Sequence, residues 1–204
     1  MSEEVIPIRK IRIGFLMHGI FYGGASRSLF LLIKSLRDFR DYELIIYTIS
    51  VSSEEIKNDF LKYVTEIKLI KLKTISTNQV YSDNYLSYKI RSKISCKYFV
   101  EQLIEDKIDI LHINTTVFPQ VPQYVKKQSK IKVVTHLREC ISPNIVSAIG
   151  RYMIENITHY SDALIAISGN EASSFADHPY LRILPNPFEF NKHNENQPDF
   201  RLLS

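Results

Sequence analysis

The stretch 11–36 contains the residues whose types and spacing first suggest chemistry. Gly19, Gly23 and Gly24 lie between a nearly continuous apolar run, 11–17, and a region from Ser26 onward whose apolar residues follow the period of an amphipathic helix. A strand that leads through glycines into a helix directs backbone N–H groups and the positive end of a helix dipole towards the carboxyl edge of a sheet. The stretch therefore predicts a place for an anion, typically a phosphate.

Two nucleotide-binding interpretations of this loop fail on individual residues. A dinucleotide fingerprint needs G-x-G-x-x-G and an acidic residue closing the second strand, but that strand ends at 49–51 without one. Gly19 and Gly24 have the spacing of a triphosphate-binding loop, yet Ala25 stands where that loop needs its lysine. NAD, flavins and ATP are therefore disfavoured. Two interpretations stay open: a Gly-Gly-Ala turn that faces a ligand, and a tight connection that only requires small residues.

Metal and thiol chemistry find little support in the sequence. Cys96 and Cys140 have no metal-type spacing and no companions for a disulfide framework, which is typical of a reducing cytosol. Cys96 falls on the apolar face of a predicted helix and is expected in the core, and Cys140 has no evident base beside it. Because no His, Asp or Glu cluster has ligand spacing, we expect no metal cofactor.

Composition sets the broad class. With 204 residues, 45% hydrophobic and 24% charged, the chain resembles an ordinary globular protein with one core. Its net charge of +4 and dispersed lysines favour an anionic ligand or an anionic membrane surface and give no support for nucleic-acid binding. The first ten residues lack a signal-peptide core, and no apolar run is long enough to span a membrane. We therefore expect a cytoplasmic protein that can attach peripherally to the inner membrane face.

The elements that must position the glycine loop alternate along the chain. Further strands are predicted at 43–49, 67–72, 109–114, 131–135, 162–167 and 181–184, and helices at 85–106, 119–128, 144–160 and 170–176. Ser52 and Glu55 predict a capping box for an additional helix that carries Ile56. This alternation implies an α/β, Rossmann-like fold with a mainly parallel sheet of about seven strands and helices on both faces.

Two polar segments interrupt the alternation. Residues 74–84 are predicted to form a surface loop, and residues 191–204 an interdomain linker or disordered tail. The domain is therefore expected to span 1–190.

Five motifs follow one another between 11 and 188: Gly23-Gly24-Ala25 before a leucine-rich helix, DILHIN at 109–114, VVTH at 133–136 continued by Leu137-Arg138-Glu139, SDALIAIS at 161–168, and ILPNPF at 183–188. In order and spacing they resemble the N-terminal, acceptor-side domain of the family-four retaining glycosyltransferases, which have the GT-B fold. The resemblance implies one half of a GT-B fold. The C-terminal donor-binding domain of that family is absent from this chain.

The resemblance implies transfer of a sugar, with retention, from a nucleotide-sugar donor to a polysaccharide, a lipid-linked or another cell-envelope acceptor. It also implies chemistry without a metal. Because the donor-binding domain would have to be supplied in cis or in trans, the isolated chain is expected to be inactive. The alternative is a non-catalytic subunit that binds or scaffolds the acceptor and pairs with a separate donor-binding chain.

The resemblance assigns roles to particular residues. His136 is the expected catalytic residue, in contact with donor sugar and acceptor hydroxyls, although a histidine merely satisfied at a strand end stays open. Gly23, Gly24 and Ala25 are expected to bind substrate. Such small residues allow a ligand to approach the backbone closely.

Three further positions complete the expected site. Arg138 and Glu139 follow His136 and are expected to contact the acceptor, with a local ion pair between them as the open alternative. Ser168 ends another strand at the same edge and is expected to line the cleft. His112, in mid-strand, is expected to be a packed and hydrogen-bonded core residue.

Overall fold

The computed structural model describes residues 9–21, 23–39, 42–75, 85–142, 144–145 and 147–187, with the backbone only at 39 and 85–91. The predicted tail 191–204, the domain boundary at 190 and most of the predicted loop 74–84 lie outside the described residues.

One parallel sheet organises the described part of the chain. Its seven strands, in the spatial order β3-β2-β1-β4-β5-β6-β7, are β1 Arg12–Met17, β2 Glu43–Thr48, β3 Glu66–Leu69, β4 Ile110–Ile113, β5 Lys132–Leu137, β6 Ala163–Ala166 and β7 Leu181–Ile183. Every pairing is parallel. The predicted Rossmann-like parallel sheet is confirmed.

The helices connect successive strands. They are α1 Gly24–Phe39, α2 Glu54–Leu61, α3 Tyr85–Glu105, α4 Val121–Gln128, α5 Ala148–Tyr160 and α6 Gly169–Ala172, which continues into a 3-10 turn at Ser173–Phe175. None of the described helices is long and apolar enough to cross a membrane.

Some predicted boundaries were wrong for physical reasons. The α2 helix is capped by Ser53 and not by Ser52: the Oγ of Ser53 accepts the Ile56 N–H at 3.3 Å. The Ser52 N–H donates to the Ile20 carbonyl at 2.9 Å, so it is not free for the reciprocal bond of a capping box with Glu55. The α5 helix begins later than predicted, behind the cap Ser147. The third strand ends at Leu69 rather than at 72, because its partner β2 ends at Thr48, the residue that pairs with Leu69.

The core forms on both faces of the sheet. On one face, Phe15, Leu44 and Ile46 pack with Leu29 of α1 and Phe60 of α2. On the other face, α3, α4 and α5 cover the sheet; residues buried there include Tyr47, Phe99, Leu111, Val133 and, farther along, Met153 and Leu164. Helices on both faces are therefore confirmed.

The strand order creates a crevice at the centre of the sheet. From β1 the chain winds one way through β2 and β3, and from β4 onward it winds the other way. In open α/β sheets, ligands bind beyond the carboxyl ends of the strands at such a switch point. The carboxyl ends of β1 and β4 are continued by the glycine loop and by Asn114, so these two segments border the crevice.

Gly14 of β1 allows the ring of Tyr47 to pack closely against the strand. A Cβ at Gly14 would lie 2.9 Å from Cε2 of Tyr47, which is fully buried and donates its hydroxyl to Asp106 at 2.6 Å. We expect Gly14→Ala to lower the free energy of unfolding by about 1–3 kcal/mol, because neither ring nor strand can move freely. Urea denaturation measures this change.

Gly169→Ala is the matched control, because a Cβ there would meet nothing within 4 Å. Its free energy of unfolding should stay within about 0.5 kcal/mol of the parent. Equal midpoints for the two variants would show that Gly14 is not constrained by Tyr47.

Candidate functional site

Polar side chains converge at the carboxyl edge of the sheet beside the switch point. Asn114 follows β4, His136 lies near the end of β5, and Arg138 comes directly after β5. Strands β1, β4 and β5 are neighbours in the sheet, so these residues and the start of α1 meet in one region. Three of the predicted site residues, Ala25, His136 and Arg138, belong to this cluster.

The guanidinium of Arg138 connects the cluster. Its Nε donates to Asn114 Oδ1 at 2.9 Å, its Nη1 to Asn186 Oδ1 at 2.7 Å, and its Nη2 to Ser28 Oγ at 2.9 Å. Ser28 also donates to Asn186 Oδ1 at 3.0 Å, and Asn114 Nδ2 donates to the carbonyl of Ala25 at 3.4 Å. One side chain therefore joins β4, β5, α1 and the segment after β7.

Arg138 stays charged in this setting. Burial lowers the pKa of Arg138 to about 10, and the neighbouring Glu139 carboxylate acts in the opposite direction. The guanidinium is therefore protonated near neutral pH. It places a fixed positive charge at the carboxyl edge, where a negative ligand group would be stabilised.

Two buried histidines lie beside this charge. His112 and His136 are each 7% exposed, their ring centroids are 5.6 Å apart, and neither Nε2 has a hydrogen-bond partner among the described residues. Burial lowers the pKa of each histidine to about 3, and the charge of Arg138 adds to the effect. Both rings are therefore neutral near pH 7. His112 is packed as predicted, but its Nε2 lacks the expected hydrogen bond.

The neighbour of His136 indicates where its proton lies. Arg138 Nη2 is 3.4 Å from His136 Nδ1, and a guanidinium can only donate, so Nδ1 is the acceptor. The single proton of the neutral ring then belongs on Nε2, the unpartnered atom. His136 therefore holds a neutral N–H donor that is shielded from solvent and has no partner among the described residues.

Glu139 points away from Arg138. Its carboxylate accepts the Thr115 hydroxyl at 2.6 Å and both the backbone N–H and the hydroxyl of Thr116 at 2.8 Å. The alternative of a local ion pair with Arg138 does not occur among the described contacts. Glu139 therefore fixes the loop that follows β4.

Ser168 belongs to a separate cluster after β6. Its Oγ accepts the Asn170 N–H at 3.1 Å and donates to Glu171 Oε2 at 2.5 Å, while Glu171 Oε1 accepts from Cys140 Sγ at 3.2 Å. The hydrogen bond to Glu171 raises the pKa of Cys140, which keeps the thiol protonated. Ser168 caps α6, and the structure does not bring it to the Arg138 cluster.

The glycine loop is held from two sides. Ile20 bridges Val51 in the loop after β2, and the Phe21 N–H donates to Ser26 Oγ at 3.3 Å. Gly23 and Gly24 then line a cavity of about 530 Å³ between α1 and α2. These two glycines thus border a space beside the Arg138 cluster instead of contacting Arg138 itself.

Sequence reasoning missed three members of the site: Ser28, Asn114 and Asn186. Asn114 directly follows a buried strand, and its position at the carboxyl edge was a usable signal. Asn186 lies in the ILPNPF motif, from which no site role was predicted for it. Ser28 carried no signal, because a serine in the first turns of a helix is ordinary.

A second and larger cavity, about 980 Å³, lies at the opposite edge of the sheet. Its lining includes Asn156, Asp162, His178 and Tyr180, which surround the amino ends of β6 and β7. It contains none of the predicted site residues. Among the residues that the structure describes, no group of three or more His, Cys, Asp or Glu could hold a metal ion.

Comparison with known proteins gives matches in structure only. No protein-family model matches the chain, and neither does any curated protein sequence. Anabaena HepE, solved with UDP-glucose, matches with a TM-score of 0.62 and 16% identity over 88% of this chain and 44% of its own. The lipopolysaccharide outer core galactosyltransferase WaaB matches with a TM-score of 0.59 and 14% identity over 89% and 47%. A UDP-N-acetylglucosamine 2-epimerase matches with a TM-score of 0.56 and 11% identity over 87% and 49%.

These similarities establish the fold. The chain is a Rossmann-like α/β domain that matches GT-B neighbours, and it spans less than half the length of each of the three proteins. At identities of 11–16%, the activity of those proteins is not carried over to this chain by the match.

The neutral histidines make stability depend on pH. Their folded pKa values, about 3, lie below the value of about 6.5 in an unfolded chain, so the unfolded state binds more protons between these limits. Stability is therefore complete above pH 6.5 and falls as the pH drops. Each histidine contributes a slope of about 1.4 kcal/mol per pH unit.

We expect His136→Gln to reduce that slope by about 1.1 kcal/mol per pH unit on average between pH 6.5 and 5, because the unfolded histidine is only half protonated at pH 6.5; urea denaturation measures the slope. His159→Gln, at an exposed position, is the control and should keep the parent slope. Parallel curves for the parent and His136→Gln would contradict a buried neutral His136.

Proposed function

We propose that the chain is the acceptor-side half of a glycosyltransferase that moves a sugar from a nucleotide-sugar donor to a cell-envelope acceptor, with retention. The observation that carries the proposal is the pairing of a buried neutral imidazole with a fixed guanidinium at the switch-point edge, His136 beside Arg138. The fold supports it, since Anabaena HepE, which shares this fold, was solved with UDP-glucose. The five family-four motifs support it further.

The proposed reaction breaks the bond between the anomeric carbon and the donor diphosphate oxygen. The acceptor hydroxyl oxygen forms the new bond on the same face of the sugar, and the hydroxyl proton leaves with the diphosphate. Such a reaction depends on positioning and on stabilising negative charge more than on a strong base. A neutral histidine with a folded pKa of about 3 would be a poor base but a suitable hydrogen-bond donor.

His136 and Arg138 would have different roles in the proposed reaction. The Nε2–H of His136 is unpartnered among the described residues and shielded from solvent. A local side-chain movement would expose it to a sugar or acceptor hydroxyl, to which it would then donate. Arg138 would hold the ring at Nδ1 and add positive potential where the diphosphate departs. Gly23, Gly24 and Ala25 would form the adjacent wall. Charge stabilisation by these groups is why we also propose a reaction that needs no metal.

The proposal assigns the donor site to a second domain. This chain spans 44% of the length of HepE and 47% of that of WaaB, which supports a donor-binding partner in cis or in trans. The proposed domain covers 1–190, with 191–204 as the start of an interdomain linker or a disordered tail. A non-catalytic acceptor-binding or scaffolding subunit that pairs with a separate donor-binding chain is the second candidate.

We further propose a cytoplasmic location with peripheral contact to an anionic membrane surface. In α3, Ile94 and Tyr98 are 65% and 68% exposed, and the exposed Lys93 and Lys97 flank them. Apolar side chains next to lysines suit the interface of an anionic bilayer. Cosedimentation of the complete protein with phosphatidylglycerol vesicles tests this contact, and a protein that stays in the supernatant would contradict it.

The transferase proposal is tested with the complete protein that contains this chain, supplied with UDP-, GDP- and dTDP-sugars and envelope extracts as acceptors. We expect His136→Ala to reduce sugar transfer by about 10²–10³-fold, the size of effect seen when one preorganised donor is removed. EDTA should leave transfer unchanged, and the isolated 204-residue chain should show none.

His159→Ala, at the opposite edge of the sheet, serves as the control and should keep the parent rate. Full activity of His136→Ala would remove the assigned role of this histidine. Absence of transfer by the complete protein, with acceptor binding retained, would favour the non-catalytic subunit.

A further inference from the structure

The cavity beside the glycine loop is lined largely by apolar side chains, which the proposed transfer reaction does not by itself require. Its volume of about 530 Å³ is that of a small-molecule site, and its walls come from the glycine loop, α1 and α2. The lining residues are Phe21, Gly23, Gly24, Ser26, Arg27, Phe30, Ile56, Asp59 and Phe60. It therefore shares Gly23 and Gly24 with the candidate site.

The walls of the cavity are apolar and held in place. Phe60 and Ile56 are 3% and 5% exposed, and Phe30 packs edge-on against Phe60 with ring centroids 5.2 Å apart. Phe21 is 38% exposed and packs against His18 at 5.4 Å. Binding of an apolar group in a preformed space between aromatic rings is favourable, because the group displaces water from apolar surface.

One cation at the rim is available to a ligand. Arg27 is exposed in the first turn of α1, and its side chain has no hydrogen bond or ion pair to another described residue. The acidic group at the rim is already engaged, since Asp59 accepts from Lys62 Nζ at 2.7 Å. The first turn of α1 carries no acidic residue, so the helix dipole adds to the positive potential there.

We propose that this cavity binds an amphiphilic phosphate: its apolar chain lies between Phe21, Phe30 and Phe60, and its phosphate pairs with Arg27 at the start of α1. The inference rests on the proposed function in naming that amphiphile as the lipid phosphate end of an acceptor whose sugar hydroxyl takes part in transfer, since the cavity opens beside the glycine loop. Binding itself can be measured without any transfer. A free lipid phosphate and a bilayer headgroup share this chemistry.

The test is calorimetric binding of farnesyl phosphate to the complete protein, compared with farnesol and inorganic phosphate. Farnesyl phosphate should bind more tightly than either fragment. Gly24→Leu should weaken its binding about tenfold or more, because the side chain would occupy the cavity border; a Cβ there would meet no atom within 4 Å, and circular dichroism checks that the variant folds.

Matched controls separate the cavity from general effects. Gly169→Leu also changes a glycine that begins a helix and has open space at Cβ, and it should leave binding unchanged. Arg27→Gln should weaken farnesyl phosphate about threefold to fivefold without affecting farnesol, the size expected of an exposed ion pair. Arg37→Gln, in the same helix, should change neither.

Three results would overturn the proposal. One is unchanged binding of farnesyl phosphate by Gly24→Leu, and another is inorganic phosphate binding as tightly as farnesyl phosphate. The third is binding to phosphatidylglycerol vesicles that survives Gly24→Leu while farnesyl phosphate does not bind, because the bilayer would then contact another surface.

The result of the binding test can be distinguished from the result of the sugar-transfer test. Farnesyl phosphate binding is measured without a nucleotide-sugar donor, so it reports on the cavity and does not depend on transfer. Retained binding without any sugar transfer would refute the transferase proposal and leave the amphiphile site standing. Transfer to an acceptor without an apolar chain, with no farnesyl phosphate binding, would refute the amphiphile site alone.

Discussion

The Arg138 guanidinium is the interaction on which the candidate site depends. A planar fork of five donors can satisfy partners on several elements at once, which a lysine cannot do. Here it reaches Asn114 beyond β4, Ser28 in α1 and Asn186 beyond β7. All three hydrogen bonds are charge-assisted, and because those to Asn114 and Ser28 are also partly buried, these two are worth more than a neutral surface contact. The side chain therefore makes one rigid wall out of four segments that are distant in sequence.

The same charge controls the chemistry of its neighbours. Burial and the charge of Arg138 keep His112 and His136 neutral, and the contact with Arg138 Nη2 directs the His136 proton to Nε2. Arg138 thus influences both the position of the His136 ring and its protonation state. In the proposed glycosyltransferase, this arrangement supplies a hydrogen-bond donor and a positive potential at the topological switch point, where the parallel sheet exposes its carboxyl edge.

Sequence reasoning recovered the fold because buried parallel strands leave a local signal. The runs around Phe15, Ile46 and Leu111 are apolar on both faces, and the alternation with helices implies their parallel order. His136 and Arg138 were predicted as site residues because a strand end and a motif fall together there, and the structure places both at the carboxyl edge of the sheet. The cap at Ser53 was not predictable locally, because two adjacent serines are equally good caps and the bond from the Ser52 N–H to Ile20, a residue distant in sequence, carries no local signal.

The partners within the site depend on long-range geometry and could not be predicted. Glu139 was expected to face an acceptor or Arg138, but Thr115 and Thr116, 24 and 23 residues away, hold it. Ser28 and Arg138 are 110 residues apart, so neither residue indicates the other in sequence. Which side-chain rotamers meet is decided by packing, and only a three-dimensional structure contains that information.

Residue-resolved amide hydrogen exchange in Arg138→Lys tests the central claim most directly. Loss of the guanidinium fork should accelerate exchange about tenfold or more at Asn114 and Leu184, whose amides bond Leu16 and Ala166 at the site edge. The amide of Thr65, which bonds Leu44 at the far side of the sheet, should keep its parent rate. Unchanged exchange at Asn114 and Leu184, or a uniform increase that includes Thr65, would contradict the view that Arg138 holds the site together.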